Sequence, residues 1–289
     1  MKIWRWPIFL GLVVFGGTLA AQEASATSQL NRLRVLQNQI WQDAVALPTA
    51  LARGEWWLLS LSSGIAYTTN ANLDSNGSVG DFYSTNSLGI RWLPDLGPGF
   101  GFSTGLMSTD FRYLRHPELS MSFLDWDAGI TWRGTVFGIA SQGYLSQTLE
   151  WTQQEAFADQ TFSNILALGG SVAREIRPGH TISAAAELSA TPYAWPSQNA
   201  YTCVSLTASY DLALAPGVTL DVSVLGYETM YFVGERDLTV SCSATVSWAI
   251  TSWLSASAFA SPTWNSSNTA GASYTVVDTG VNVSGIFRF

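Results

Sequence analysis

Few side chains in this sequence have the chemistry of an active site. The mature part of the chain has two histidines, His116 and His180. Acyl transfer needs a nucleophile and a base in hydrogen-bond reach, usually with a third residue that orients the base. His180 follows the turn signal at 177–179, and His116 has no matching serine and acid on a neighbouring segment. We therefore predict that the protein is not an enzyme.

One segment has the composition of a metal-binding loop. Residues 72–77 read N-L-D-S-N-G, like the opening half of a calcium loop, in which alternate oxygen ligands surround a cation at a glycine turn. The first position is Asn72 instead of Asp, and the twelfth is Tyr83 instead of Glu. Turns of this composition are common at loop tips. We predict no metal site, and no other pattern indicates a cofactor.

The composition is unusual for a water-soluble globular protein. Charged residues make up 12% of the chain, about half of the usual share of about 25%. Lys2 is the only lysine, the formal net charge is -8, and there are 13 tryptophans. An acidic chain without basic stripes is a poor partner for nucleic acid, so we exclude that class.

The N-terminus has the parts of a secretory signal. Lys2 and Arg5 precede an apolar run, and small residues follow at 18–20, so residues 1–21 are predicted to be cleaved after Ala20 or Ala21, with 24–26 as the alternative site. No later run approaches the roughly 18 apolar residues that a membrane helix needs. An exported, apolar chain without such a helix can still span lipid as a closed barrel.

Residues 28–47 have the only clear helical pattern of the mature chain. Apolar residues recur there at spacings of three and four, and Pro48 ends the pattern. This predicts a helix within an N-terminal segment, 22–54, that precedes the first strand. One interpretation is a plug that enters the barrel and places Arg32 and Arg34 against lumenal acids. The other is a helix in the periplasm that packs on a neighbour or tethers the chain.

From Glu55 onward the chain alternates apolar and polar residues in regular segments. Tight turn signals at 94–98, 134–135, 177–179, 215–217 and 251–252 are separated by longer polar connections. The pattern predicts an all-β fold, six hairpins and therefore about twelve strands, over residues 55–289. An even number of strands, with short turns at one end and longer loops at the other, is typical of a transmembrane antiparallel barrel.

Alternation also assigns side chains to the two faces of each strand. Lipid-facing positions must be apolar, and the tryptophans are expected to form two aromatic girdles. Cys203 is expected inside and Cys242 outside, on strands that are not adjacent, which predicts two free thiols. The charged residues predicted to line the lumen are Arg91, Asp125, Asp127, Arg133, Glu150, Glu175, Glu187, Asp211, Asp221, Asp278 and Arg288.

These assignments predict an interior with more acids than arginines. Such a lumen is consistent with a narrow, weakly cation-preferring aqueous path. It is equally consistent with a network of salt bridges that fills the barrel, since twelve strands are intermediate between small filled barrels and large porins. The two interpretations stay open at this stage.

The last segment, 275–289, is an alternating strand that ends on Phe289. With Phe287 it resembles the C-terminal assembly signal of bacterial outer-membrane barrels, and residues 55–289 as a whole are similar to an outer-membrane β-barrel of a Gram-negative bacterium. This resemblance implies an outer-membrane location, contact with the lipid bilayer and recognition by the barrel assembly machinery.

Two further resemblances bear on function. Gly64, Tyr67, Asn70, Asn72 and Leu73 are similar to a pattern at the start of several porin families. A helix before twelve strands is similar to autotransporter translocators, although a secreted passenger is missing from this sequence. The first functional hypothesis is a small passive channel for solutes or ions with a polar, acidic lumen. The second is a non-conducting structural or surface-interaction barrel that the N-terminal helix plugs.

Overall fold

The computed structural model describes residues 56–73, 77–94, 96–97, 99–154 and 160–289. They form twelve antiparallel strands that close into one barrel, in which each strand pairs with its neighbours in the chain and β1 pairs with β12. The predicted twelve-strand barrel is confirmed. The predicted signal segment and the predicted helix at 28–47 lie outside the described residues.

The strands have similar lengths and follow one another without a crossover. Their bounds are β1 Trp56–Thr68, β2 Asp81–Leu93, β3 Phe100–Tyr113, β4 Met121–Val136, β5 Ile139–Gln154, β6 Gln160–Arg177, β7 His180–Trp195, β8 Tyr201–Ala215, β9 Val218–Tyr231, β10 Arg236–Ala249, β11 Leu254–Ser267 and β12 Tyr274–Arg288. Two 3-10 turns, Pro117–Leu119 and Ser197–Asn199, are the helical segments of the described chain. No helix among these residues is long and apolar enough to cross a membrane.

The connections differ between the two ends of the barrel. The short-turn end carries the connections after β2, β4, β6, β8 and β10, three of which have only two residues. The loop end carries the other connections. The sequence pattern predicts the turn between β4 and β5 at 134–135, but the turn consists of Phe137 and Gly138, with φ values of 52° and 75°. Positive φ at both residues suits the twist of a two-residue hairpin.

Each strand has an inner and an outer row of side chains. The outer row is dominated by exposed large apolar residues, among them the four tryptophans Trp126, Trp151, Trp195 and Trp264 nearer the loop end and Trp57, Trp132, Trp248 and Trp253 nearer the short-turn end. The inner row is rich in serine and threonine, many of them buried. An apolar exterior around a polar interior is the pattern that lipid requires of a strand barrel.

The barrel closes where the last strand meets the first. Trp57 and Phe289 exchange two backbone hydrogen bonds, of 2.9 and 3.1 Å. Phe287 stacks on Trp253 with ring centroids 5.3 Å apart. Because every described strand is paired on both sides, the sheet has no free edge.

Candidate functional site

The interior is the part of the barrel in which side chains of many strands converge, and it has two zones. Inward side chains of the loop-end half are almost completely buried, as at Thr109, Phe111 and Thr229, each 0% exposed. At the short-turn end, inward positions such as Thr135 and Thr219 are exposed. The two ends of the interior therefore differ in how far water reaches the wall.

Aromatic packing accounts for part of this burial. A first cluster on β2, β3 and β4 includes Tyr83, Phe111 and Phe123. The ring centroids of Tyr83 and Phe111 are 6.3 Å apart, and those of Phe111 and Phe123 are 5.8 Å apart. The first pair of rings is tilted and the second is edge-on, and aromatic rings favour such arrangements over a direct face-to-face stack.

Two further clusters lie in the same half of the interior. One contains Ile165, Tyr201, Cys203, Tyr227 and Tyr231, and the other contains Leu73, Tyr274 and Val276. Uncharged inward residues are mostly small in the short-turn half but not in the loop-end half. The sequence signal of this difference is the recurrence of tyrosine and phenylalanine in the inner rows next to the loops.

The eleven charged residues predicted to line the lumen fall into three groups. Five are buried, three are half-buried and three are exposed. The buried residues are Arg91, Asp125, Glu150, Glu187 and Asp278. The half-buried residues are Asp127, Asp211 and Asp221, and the exposed residues are Arg133, Glu175 and Arg288. Glu175 accepts a hydrogen bond from the N–H of Gly179 at 3.1 Å, so it belongs to the β6–β7 turn.

An ion pair crosses the inner wall over a glycine. Arg91 on β2 pairs with Gly105 on β3, which pairs in turn with Asp127 on β4. The guanidinium Nη2 lies 2.7 Å from Asp127 Oδ1. A Cβ added at Gly105 would lie 3.3 Å from Arg91 Nε and 2.9 Å from a backbone oxygen. The missing side chain of Gly105 therefore leaves the space through which Arg91 reaches two strands away.

A second bridge has the same construction on β5, β6 and β7. Tyr144 pairs with Gly169, and Gly169 pairs with Glu187. The Tyr144 hydroxyl donates a hydrogen bond to Glu187 Oε2 across the glycine. A Cβ at Gly169 would overlap the Tyr144 ring. Arg91 and Tyr144 thus hold the carboxyl groups of Asp127 and Glu187 on the inner wall.

Pairs of acids also face each other across neighbouring strands. Asp125 lies opposite Glu150 on β4 and β5, and Asp211 lies opposite Asp221 on β8 and β9. Thr152 donates to Glu150 at 3.1 Å. Like charges at such positions repel each other.

Two buried acids at the loop end were not predicted. Asp81 accepts hydrogen bonds from the backbone N–H groups of Phe82, Arg115 and His116. Asp81 therefore orients the β3–β4 loop. The second acid, Asp237, is buried at the start of β10. A strand-end aspartate is hard to distinguish from a turn residue by sequence.

The histidines have no catalytic arrangement among the described residues. His116 lies on the β3–β4 loop, where its Nδ1 is 2.9 Å from Glu118 Oε1. The pKa of the Glu118 carboxyl is lowered by a hydrogen bond from its own backbone and by His116. His180 contacts the Tyr210 hydroxyl on the outer wall near the short-turn end. Neither ring hydrogen-bonds a serine, threonine or cysteine in this part of the chain.

The remaining candidates for metal or thiol chemistry are the loop at Asn72 and the two cysteines. No group of three or more histidines, cysteines or acids could hold a metal ion in the described ranges. Asn72 forms hydrogen bonds within its loop, to the Gly77 carbonyl at 3.0 Å and from the Val79 N–H at 3.2 Å. Both cysteines are free, with Cys203 buried on the inner face of β8 and Cys242 on the outer face of β10.

The closed antiparallel barrel, with its apolar outside and polar inside, has the fold of bacterial outer-membrane β-barrel proteins. One solved structure with this fold is the translocator domain of the autotransporter NalP from Neisseria meningitidis. It is 10% identical, with a TM-score of 0.51, covering 92% of this chain and 99% of that chain.

A second similar structure is an outer membrane channel from Pseudomonas putida F1. It is 12% identical, with a TM-score of 0.51, and the match covers 82% of this chain and 97% of that chain. At these identities the likeness concerns the fold. No family profile matches the sequence, and no curated protein matches it either.

Proposed function

We propose that this protein is an outer-membrane β-barrel that is closed to solutes in the conformation described. The short-turn end would face the periplasm and the loop end the exterior. The lipid bilayer would surround the apolar outer wall, and small solutes or ions would cross only after a rearrangement of the interior.

The observation that carries the proposal is the burial of inward side chains in the loop-end half. A side chain that lines an open aqueous path remains accessible to water. Thr109, Phe111 and Thr229 do not. This burial favours the non-conducting barrel. The second candidate is a freely open passive channel, and the polar and acidic side chains of the short-turn half support it.

The segment 22–54 would enter the interior from the short-turn end. The acidic inner wall is complementary in charge to Arg32 and Arg34, which lie outside the described residues. The exposed inward positions near the short-turn end leave that end accessible. We propose this plug as one contribution to the closed state.

Phe287 and Phe289 would serve as the signal that the barrel assembly machinery recognises. Phe289 is 66% exposed even though its backbone closes the barrel. Because its ring is exposed in the folded barrel, Phe289 contributes little to packing, which favours a role in recognition during assembly. Phe289→Ala should lower the amount of inserted barrel without changing the conductance per molecule.

Single-channel recording in planar bilayers tests the closed state. The mature chain should show no steady conductance. Deletion of 22–54 should open the barrel if the segment is the main obstacle, and should leave it silent if the aromatic clusters alone close it. Steady conductance from the intact mature chain would reject the closed barrel and favour the passive channel.

A further inference from the structure

Charged side chains are few in the outward rows of the strands, and those at the loop end are paired. Arg112 on β3 forms an ion pair with Asp110 at 2.9 Å, and Arg236 on β10 forms one with Glu228. Arg174 on β6 is also outward and exposed, but it lies towards the short-turn end. It forms no hydrogen bond or ion pair within the part of the chain that the structure describes. The lipid-facing wall therefore carries a cation that no described acid neutralises.

The position of Arg174 along β6 places it at the edge of the apolar belt. Leu168 and Val172 are exposed in the outward row of this strand, and Arg174 is the next outward residue. Val172 is ten residues from Phe162, which is about 25 Å along the membrane normal at a rise of about 3.3 Å per residue and a tilt of about 40°. The apolar band of outer-membrane barrels is about 25 Å tall. The Arg174 guanidinium thus lies at the level of the lipid headgroups.

The register of β6 and β7 brings two further nitrogen-bearing side chains to the same place. Arg174 pairs with Ile182, and His180 is the next outward residue of β7 towards the turn. Arg177 pairs directly with His180, so these two side chains lie on the same face of the wall. Diagonal neighbours on paired strands are about 7 to 8 Å apart, a gap that long arginine side chains can close around one small anion. We call Arg174, Arg177 and His180 the basic patch.

The imidazole of His180 is oriented by the next strand. Its Nδ1 contacts the Tyr210 hydroxyl on β8, and the two ring centroids are 5.9 Å apart. A hydroxyl that donates to Nδ1 leaves the ring proton on Nε2. Nε2 has no hydrogen-bond partner among the described residues. The basic patch therefore presents N–H donors from two guanidinium groups and one imidazole.

The acid that is nearest in sequence does not neutralise the basic patch. Glu175 belongs to the inward row of β6, and its carboxylate accepts a hydrogen bond from the Gly179 N–H at 3.1 Å. Within the described ranges, neither Arg174 nor Arg177 forms an ion pair with Glu175. The positive charge of the basic patch remains available to an anion from outside the chain.

The basic patch is confined to one sector of the barrel. The other short turns contain no lysine, arginine or histidine: they are residues 94–99, 137–138, 216–217 and 250–253. The outward residues that flank these turns are apolar, as at Val136, Leu214 and Trp248. An anion at this level of the outer wall would therefore find its complement beside the β6–β7 turn.

We infer that the basic patch binds the phosphate group of an anionic phospholipid. Guanidinium groups bind phosphate oxygens through two parallel N–H bonds, and lipid phosphates are the anions that surround the barrel at this depth. The acyl chains would lie on the exposed Val172 and Ile182. In the proposed orientation of the barrel, this lipid belongs to the leaflet that faces the periplasm.

Native mass spectrometry of the purified mature chain tests the site. The chain is released from micelles that contain equal amounts of phosphatidylglycerol and phosphatidylcholine with the same acyl chains. Both lipids have a phosphate, but only phosphatidylglycerol has a net negative charge, so the native chain should retain phosphatidylglycerol preferentially. Arg174→Gln should reduce the retained phosphatidylglycerol about fivefold, the loss expected for one cationic side chain at an anionic membrane surface.

Arg288→Gln is the matched control. Arg288 is exposed near the short-turn end like Arg174, but it belongs to the inward row. Its removal changes the net charge by the same amount and should leave the retained phosphatidylglycerol unchanged. Equal losses from the two variants, or no loss from Arg174→Gln, would overturn the proposal. A heat-modifiable shift on unboiled gels shows that each variant is a folded barrel.

Photo-cross-linking locates the bound lipid. Phosphatidylglycerol with a diazirine in its headgroup should form adducts with the β6–β7 hairpin, and Arg174→Gln should reduce their yield about fivefold. Adducts confined to other strands would contradict the inference. Single-channel conductance is recorded separately, so the closed barrel and the lipid site can fail independently.

Discussion

The two halves of the barrel interior are lined by the same strands but differ in the size and the exposure of their inward side chains. In the loop-end half, inward aromatic residues such as Phe111 and Tyr201 are buried in clusters. In the short-turn half, inward positions such as Thr135 are small, polar and exposed. A β-barrel can therefore be packed like a globular core at one end and hydrated at the other, because strand alternation fixes only the direction of a side chain and not its size.

The largest expected effect comes from truncation in the packed half. Phe111→Ala should lower the free energy of unfolding by about 3 to 5 kcal/mol, because it creates a cavity at a fully buried site. Thr135→Ala, also inward but exposed, should change it by less than about 0.5 kcal/mol. Urea unfolding in vesicles, followed by tryptophan fluorescence, measures both. Similar costs for the two variants would remove the distinction between the halves.

A somewhat smaller effect on the free energy of unfolding is expected for the ion pair between Arg91 and Asp127. Arg91→Met should cost about 3 kcal/mol, since it leaves the Asp127 carboxylate without its guanidinium. Arg91→Met/Asp127→Leu should recover most of this loss, and Arg288→Met at the exposed rim should be nearly neutral. The same unfolding measurement applies. A double variant as unstable as Arg91→Met would show that the bridge over Gly105 is not the source of the effect.

The smallest effect concerns the loop-end rim. Glu235 lies between β9 and β10, and burial, together with the charge of Asp237, raises its pKa from 4.5 to about 7. A carboxyl group with a raised pKa stabilises the folded loop in its protonated form, so this contribution is present below about pH 4.5 and is lost as the pH rises through about 7.

Hydrogen exchange at Gly234, whose N–H donates to the Tyr231 carbonyl at 2.9 Å, reports on this loop. The protection factor of the Gly234 amide, corrected for intrinsic exchange, should fall between pH 5 and about 7 in the native chain. In Glu235→Gln it should stay level. Glu118→Gln is the control, because the pKa of Glu118 is lowered and its charge is constant in that range. A pH dependence that persists in Glu235→Gln would exclude Glu235 as its cause.

Much of the fold could be predicted from the sequence, because strand count and facing follow from a period of two. The position of the β4–β5 turn could not. Gly134 is a conventional turn signal, yet the strand continues through it, and Trp132 lies against it on the outer wall. The real turn begins at Phe137, a residue type that rarely adopts positive φ. The local sequence therefore pointed to the wrong residue.

The interior was less predictable, for a different reason. The direction of Arg91 and Glu187 follows from alternation, but their partners depend on the register of three strands at once. Arg91 reaches Asp127 only because Gly105 lies between them, and Tyr144 reaches Glu187 only across Gly169. A single sequence carries no direct record of which residues are neighbours across strands.

The junction between Trp57 and Phe289 has a consequence for the kinetics of folding. Every other strand contact joins neighbours in the chain and can form as a hairpin, whereas this junction joins residues about 230 positions apart. Compared with a hairpin of about 30 residues, bringing such distant ends together costs about 2 kcal/mol more in chain entropy. We therefore expect the ring to be sealed after the hairpins have formed, since local pairings cost less chain entropy than distant ones.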